Sequence, residues 1–401
     1  MSEWKKVKLG DCISTKKGFA FKSALYTNCG VPVVRVSDFT LDSVADNDLV
    51  YYPHAEKDRY DEYVLNEGDV LIQTVGSWQY NPNSVVGKVV RVPYYHKGSL
   101  LNQNIVKIIP NNGYNNAFIF YRLKCRDFAG HVLGEARGAA NQASITLDTI
   151  KRFSFDCPLL STQQRIATIL SRYDSLIENY RKQIKLLEEA AQRLYKEWFI
   201  DLRFPGHENT KIVDGVPEGW EKKKLHEIAE VVMGSSPKSE FYNNDKQGLP
   251  FHQGVGSYGT RFVDDNVYST SITRLAEPNS ILFSVRAPVG RLNITKNKII
   301  IGRGLAAMNH KDGFQSFLFY MLKERFFMDN IIGNGSIFAS ISKVELLDQE
   351  FIVPPMKTIK AFESLASKLD KKIQGVDTQL RLLTEARDRL LPKLMSGKIT
   401  V

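Results

Sequence analysis

Residues 162–199 read TQQRIATILSRYDSLIENYRKQIKLLEEAAQRLYKEWF, and their spacing decides the fold. Ile166, Leu170, Tyr173, Ile177, Tyr180, Ile184, Leu187, Ala191, Leu194 and Trp198 recur at alternating steps of four and three. That is the a/d seam of a long helix packed on a partner helix. Pro158 closes the strand-like run before it, and Ser161-Thr162-Gln163-Gln164 has the form of a capping box, so the helix is expected to start there. The seam returns 196 residues later as Phe362, Ala366, Leu369, Ile373, Val376, Leu380, Leu383, Arg387, Leu390 and Leu394. Arg387 is its polar interruption, expected at a partner-facing or weakly packed turn. Each helix would span roughly 57 Å at 1.5 Å per residue. Two such helices in one chain most simply pair with each other.

The stretches before the helices also repeat. Trp4 to Leu9 is answered by Trp220 to Leu225, and Val31-Pro32-Val33 by Leu249-Pro250-Phe251. Asp69 to Thr74 is answered by Ser280 to Val285, Val86-Gly87-Lys88 by Val289-Gly290-Arg291, and Ala143-Ser144-Ile145 by Ala339-Ser340-Ile341. Phe118 to Lys124 is answered by Phe317 to Lys323, and the spacing predicts a helix over 118–128. The offset falls from 216 to 196 along the way, so loop lengths differ while the framework is kept. The expected fold is α+β: globular domains at 1–157 and 217–354, helices at 158–200 and 355–401, and a linker at 201–216. The two helices would form an antiparallel coiled coil within a pseudo-two-fold repeat. Shared framework with private loops describes one device aimed at two targets.

Composition narrows the classes. At 401 residues, 43% hydrophobic and 24% charged, the chain has material for two or more cores. No run reaches the ~18 apolar residues of a membrane span, so no membrane partner is expected. Cys12, Cys29, Cys125 and Cys157 form no CxxC pair, which fits a reducing cytoplasm. The net charge of +10 permits an anionic partner, but residues 355–401 alone carry +5 and the globular stretches are nearly balanced.

With these pieces in order, the sequence resembles the specificity (S) subunit of Type I restriction–modification systems over essentially its whole length. The pieces are Trp4…Leu9-Gly10-Asp11 and Pro217-Glu218-Gly219-Trp220…Leu225, then Pro158…Gln164…Ile166-Ala167…Leu170…Asp174, and Arg389-Leu390…Leu394-Met395-Ser396-Gly397-Lys398-Ile399 at the end. The resemblance implies two target-recognition domains, each reading half of a bipartite double-stranded DNA sequence. It implies helices that space them and dock two methyltransferase (M) subunits, which hold the S-adenosylmethionine, with two restriction (R) subunits outside. The second helix entry, Pro354 to Lys360, departs from the pattern by lacking a glutamine at the place of Gln164, which puts its cap in question.

The chain reads as non-catalytic and as binding no cofactor or metal itself. Asn81-Pro82-Asn83 lacks the second proline of an adenine-methylation motif, and Gly302-Arg303-Gly304 is a lone GxG. A single-chain methyltransferase and a coiled-coil assembly protein are the alternatives. The first lacks cofactor motifs in both halves, and the second has no need of two differing globular domains.

Candidates for DNA contact are loop residues able to reach base edges and phosphates. In the first domain these are Lys16, Lys17 and Lys22; Ser77, Trp78, Gln79 and Tyr80 with Lys88; Asn102, Gln103 and Asn104; and Arg137, Asn141 and Gln142. In the second they are Ser235, Ser236 and Lys238; His252, Gln253, Ser257, Tyr258 and Arg261; Arg286, Arg291 and Arg303; and Asn334 and Ser336.

Overall fold

The computed structural model describes residues 4–78, 84–139, 142–326 and 340–401. The chain folds as two compact units, Met1–Asn179 with Leu380–Val401, and Tyr180–Gln379. The division falls inside each long helix.

In the first unit an antiparallel sheet runs in the order Ile13–Lys17, Ile105–Pro110, Val70–Gln73, Val89–Arg91. In the second unit Ala229–Met233, Leu305–His310, Ile281–Ser284 and Leu292–Ile294 take the same order. Each unit adds a second sheet, three-stranded in the first and five-stranded in the second, whose middle strand has one antiparallel and one parallel neighbour. Val31–Val34 lies antiparallel to Val50–Tyr52 and parallel to Leu100–Leu101. Leu249–His252 lies antiparallel to Tyr268–Ser269 and parallel to Ile299–Ile301. The central strands Val70–Gln73 and Ile281–Ser284 are buried along their whole length, as the apolar runs at 69–75 and 280–285 require.

The helical spacing at 118–128 resolves into two helices, Asn116–Leu123 and Arg126–Glu135. Cys125 between them is extended (ψ 150°), and Arg122, buried at 6% exposure, reaches past the break to the Asp127 carboxylate. A single helix would have carried these charges to different faces. Residues 201–216 are more than a linker. Phe204 is buried against Trp220 (ring centroids 5.2 Å), and Ile212–Val213 pairs with Val216–Pro217.

The long helices span Leu160–Phe199 and Met356–Met395, 40 residues each and offset by the 196 read from the sequence. Both start earlier than a cap at Ser161 would allow. The Leu159 carbonyl accepts from Thr162 N (2.9 Å) and Gln163 N (3.0 Å), and the Pro355 carbonyl from Thr358 N (2.9 Å) and Ile359 N (3.2 Å). Gln163 instead joins tertiary neighbours: its Oε1 accepts from Asn115 N at 2.9 Å and its Nε2 donates to the Pro158 carbonyl at 3.0 Å. The absence of a glutamine at 360 therefore leaves the second helix start intact.

Inside each unit the helix halves run antiparallel. In the first unit Ile166 and Leu170 share a core with Leu390, Leu394 and Met395, while further along Asp174 meets Arg387 at 2.9 Å. In the second, Tyr195 and Trp198 pack on Phe362 with ring centroids 5.8 and 5.9 Å apart. Ile177, Ile184, Ile373 and Val376 are buried, and Tyr173, Tyr180, Leu187, Leu194, Leu369, Leu380, Leu383 and Leu390 are half-buried.

Arg387 is not at a weakly packed turn. Its guanidinium bridges Asp174 (2.9 Å) and Asp42 (3.0 Å), and Lys124 also reaches Asp42 at 2.7 Å. A charge on the seam is tolerated here because two carboxylates converge on it.

Candidate nucleic-acid interface

In each unit, three strand ends meet at a junction that repeats almost bond for bond. In the first unit Gly18 N donates to Ile105 O (2.9 Å), Phe19 N to Leu101 O (3.0 Å), Asn102 N to Val34 O (3.2 Å) and Thr74 N to Asn104 O (2.9 Å). In the second, Gly234 N donates to Leu305 O (2.9 Å), Ser235 N to Ile301 O (2.9 Å), Gly302 N to His252 O (2.8 Å) and Val285 N to Gly304 O (2.9 Å). The crossing demands glycine at 18 and 234. A Cβ there would lie 1.9 Å from Asn102 O and 2.1 Å from Gly302 O, inside any allowed contact.

The side chains on this common backbone differ. In the first unit Lys17, Lys22 and Gln103 are exposed. Lys16 is drawn to Glu62 and lies 4.4 Å from the centre of the Tyr63 ring. Asn102 Nδ2 donates to the Tyr26 hydroxyl (3.2 Å), and Asn104 serves mainly through its carbonyl. The strand register exposes a residue that sequence reasoning missed. Arg35 follows Val34 just as Gln253 follows His252, and it is held by Asp38 at 2.9 Å. The sequence alignment of Val33 with Phe251, extended by two residues, already places it opposite Gln253.

In the second unit Ser235 is exposed, and Lys238, Gln253 and Arg303 are exposed around a cleft of about 1190 Å³ in which Ser236 is half-buried. Ser236 Oγ donates to Gln253 Oε1 at 2.7 Å and accepts from Arg303 N at 3.2 Å.

A second corner gathers other candidates of the first unit. Arg137–Ala139 pairs with Gln142–Ser144, which pairs with Val75–Gly76, so the register brings Gln142 next to Ser77, while Arg137 stands opposite Ser144 at the other end of the ladder. In the second unit Arg286 takes the place of Val75, bridged to Ser340 as Val75 is paired with Ser144, and is exposed. Trp78 packs against the core of its own unit. Lys88 donates to the Phe39 carbonyl (3.3 Å), and burial lowers its ammonium pKa, so it is directed inward. Arg291 is half-buried, its backbone N donating to Ser284 Oγ at 2.8 Å.

Four candidates of the second unit leave the interface. Arg261 is 3% exposed: its guanidinium donates to Asp370 (2.6 Å) and lies 3.6 Å from the centre of the Phe319 ring. His252 is buried between Ser257 Oγ (2.8 Å) and Asp265 Oδ1 (3.0 Å), which occupies Ser257 as well. Tyr258 packs on the apolar cluster of Val263, Leu282 and Ile299. Each has its polar or apolar face already used inside the unit. Gln79, Tyr80, Asn141, Asn334 and Ser336 lie outside the described residues. Among the described residues no group of three or more His, Cys, Asp or Glu side chains could hold a metal ion, and no helix is long and apolar enough to cross a membrane.

A family model described as Type I restriction modification DNA specificity domain matches residues 1–189 and again 217–380. The putative type I restriction enzyme MjaX specificity subunit of Methanocaldococcus jannaschii is 28% identical over 381 residues, covering 93% of this chain and 88% of the relative. The MjaIX specificity subunit of the same organism is 30% identical over 318 residues, covering 75% and 73%. Among solved structures, the Type-I restriction-modification S subunit from M. genitalium aligns over 98% of this chain and 96% of its own, with a TM-score of 0.58 at 16% identity. That likeness concerns the fold.

Proposed function

This chain belongs to the Type I restriction-modification DNA specificity family, and we propose that each of its two units reads one half of a bipartite target on double-stranded DNA. It is a specificity subunit, a recognition component rather than an enzyme. The observation that carries the two-target reading is the repeated junction: identical backbone bonding at Gly18 and Gly234 supports different side chains at 35 and 253 and at 103 and 303.

Two methyltransferase subunits, each holding S-adenosylmethionine, dock on the helices in this reading, and two restriction subunits join outside them, in the cytoplasm. Paired exposed apolar residues at matched helix positions support two like partners. Leu160 and Met356 are 39% and 43% exposed, and Leu186 and Leu382 are 55% and 61% exposed. Each pair is separated by the helix offset of 196.

The test replaces residues 1–157 with the first domain of another family member and sequences the methylome of cells co-expressing the methyltransferase subunit. One half of the target should change and the other should stay. A change in both halves would show that the units do not read independently.

A further inference from the structure

The junction of the second unit has a chemical polarity of its own. Arg303 N–H donates to Ser236 Oγ, and the Ser236 hydroxyl donates onward to Gln253 Oε1. The amide oxygen of Gln253 is thereby engaged inside the junction, and its Nε2, a donor only, is left to face outward. The approach is built in. A Cβ at Gly302 would stand 2.7 Å from Gln253 Oε1, and one at Gly304 would stand 2.5 Å from the Gln253 carbonyl. Beside this amide stands the exposed guanidinium of Arg303, which also only donates.

Phosphate oxygens and base edges both accept hydrogen bonds, and the surrounding charge decides between them. The same cleft is lined by Lys238 and Arg303 on one side of the balance and by Glu240 and Asp264 on the other. A groove that follows phosphates carries a surplus of cations; this one is neutral. Among major-groove edges, guanine offers two adjacent acceptors, N7 and O6, whereas adenine places a donor beside its N7 and cytosine offers a donor.

Building on the reading of this chain as a DNA-specificity subunit, we propose that Gln253, locked by Ser236, and Arg303, whose backbone is tied to the same hydroxyl, form the donor-only head that selects a guanine in the half-site of the second unit. The first unit carries the same two residue types in exchanged places, Arg35 and Gln103. Its arginine is held by Asp38 and by the Asp48 carbonyl (2.8 Å), so its head has a different polarity.

The experiment uses the full chain co-purified with its methyltransferase subunit, with both half-sites defined first by methylome sequencing. Binding is then measured against duplexes varied one base at a time. Arg303→Ala and Gln253→Ala should each lose preference at one guanine, on the order of ten- to a hundredfold, with the other half-site unchanged. Arg303→Lys keeps the charge and should weaken the preference, because a flexible ammonium lacks the planar, preorganised fork of the guanidinium. Replacing that guanine with 7-deazaguanine should weaken the parent complex about tenfold and leave Arg303→Ala unaffected. Variants that keep the parent preference, or that weaken every sequence alike with a shallower salt dependence, overturn the assignment. A parent complex with no sequence selectivity overturns the specificity reading itself, a separate result.

Discussion

Arg261 donates to Asp370 across 2.6 Å, and Asp370 also accepts from the Tyr320 hydroxyl at 2.7 Å. The first unit repeats the Asp–Tyr pair as Asp174 and Tyr121, but its arginine, Arg387, comes from the helix. In both units a long helix is thus tied to the globular part by an arginine with little access to solvent.

Arg261→Ala and Arg387→Ala should each destabilise their unit by about 1–3 kcal/mol, because each takes a charge-assisted partner from half-buried carboxylates, even though Lys124 still reaches Asp42. Arg389→Ala is the contrast. Arg389 pairs with Glu385 at side-chain exposures of 76% and 53%, and such pairs contribute about 0–1 kcal/mol. Urea unfolding of the full chain measures all three. Equal effects for Arg387 and Arg389 would mean that the bridging geometry contributes nothing.

Acid should loosen the first unit through Asp42. Burial alone would push its carboxyl up, but the Lys124 ammonium and the Arg387 guanidinium more than reverse this and hold it below the ordinary aspartate range. A folded-state pKa below the unfolded value of about 3.9 means stability that is present above that pH and lost as pH falls through the folded value. Unfolding midpoints measured between about pH 5 and pH 3 should therefore drop more steeply for the parent than for Asp42→Asn. Parallel slopes would exclude Asp42 as the titrating group.

The junction glycines make a sharper structural test. Gly18→Ala and Gly234→Ala place a methyl group against a backbone carbonyl that cannot swing aside, and should cost about 1–3 kcal/mol or more. Each should also abolish reading of one half-site while sparing the other. Gly254→Ala, where a Cβ meets nothing within 4 Å, should be nearly silent in the same unfolding assay. Tolerance of alanine at 18 and 234 with normal recognition would remove the junction from the DNA interface.

What was legible in the sequence follows the range of the signal. Helix periodicity is local, so the seam at 166–198 and its copy at 362–394 appeared at the right offset. The starts were misread because carbonyls of Leu159 and Pro355 organise the first turns, while Gln163 is recruited by Asn115, 48 residues away. Arg261 looked like a groove-binding residue in a glycine-rich stretch. Its partner Asp370 lies 109 residues on, and no local pattern reports such a pairing. Arg35 was passed over because it sits at a strand end and not in a loop, although the alignment of Val33 with Phe251 already placed it opposite Gln253, as the parallel register with Leu100–Leu101 bears out.

The helices as a ruler give the last test. The boundary between the units falls between Asn179 and Tyr180 on one helix and between Gln379 and Leu380 on the other. Inserting seven residues at both places keeps the a/d seam in phase and lengthens each helix by roughly 10.5 Å. At about 3.4 Å per base pair that is close to three base pairs. Three base pairs also turn the duplex by roughly 100°, given 10–10.5 base pairs per turn. The second reading head then meets a displaced groove unless the DNA twists. The expected outcome is a preferred spacer about three base pairs longer, with the same half-sites and weaker binding, read from affinities of the methyltransferase complex across a spacer-length series. An optimum that stays at the original spacer while both half-sites are still read would show that the helices do not set the distance.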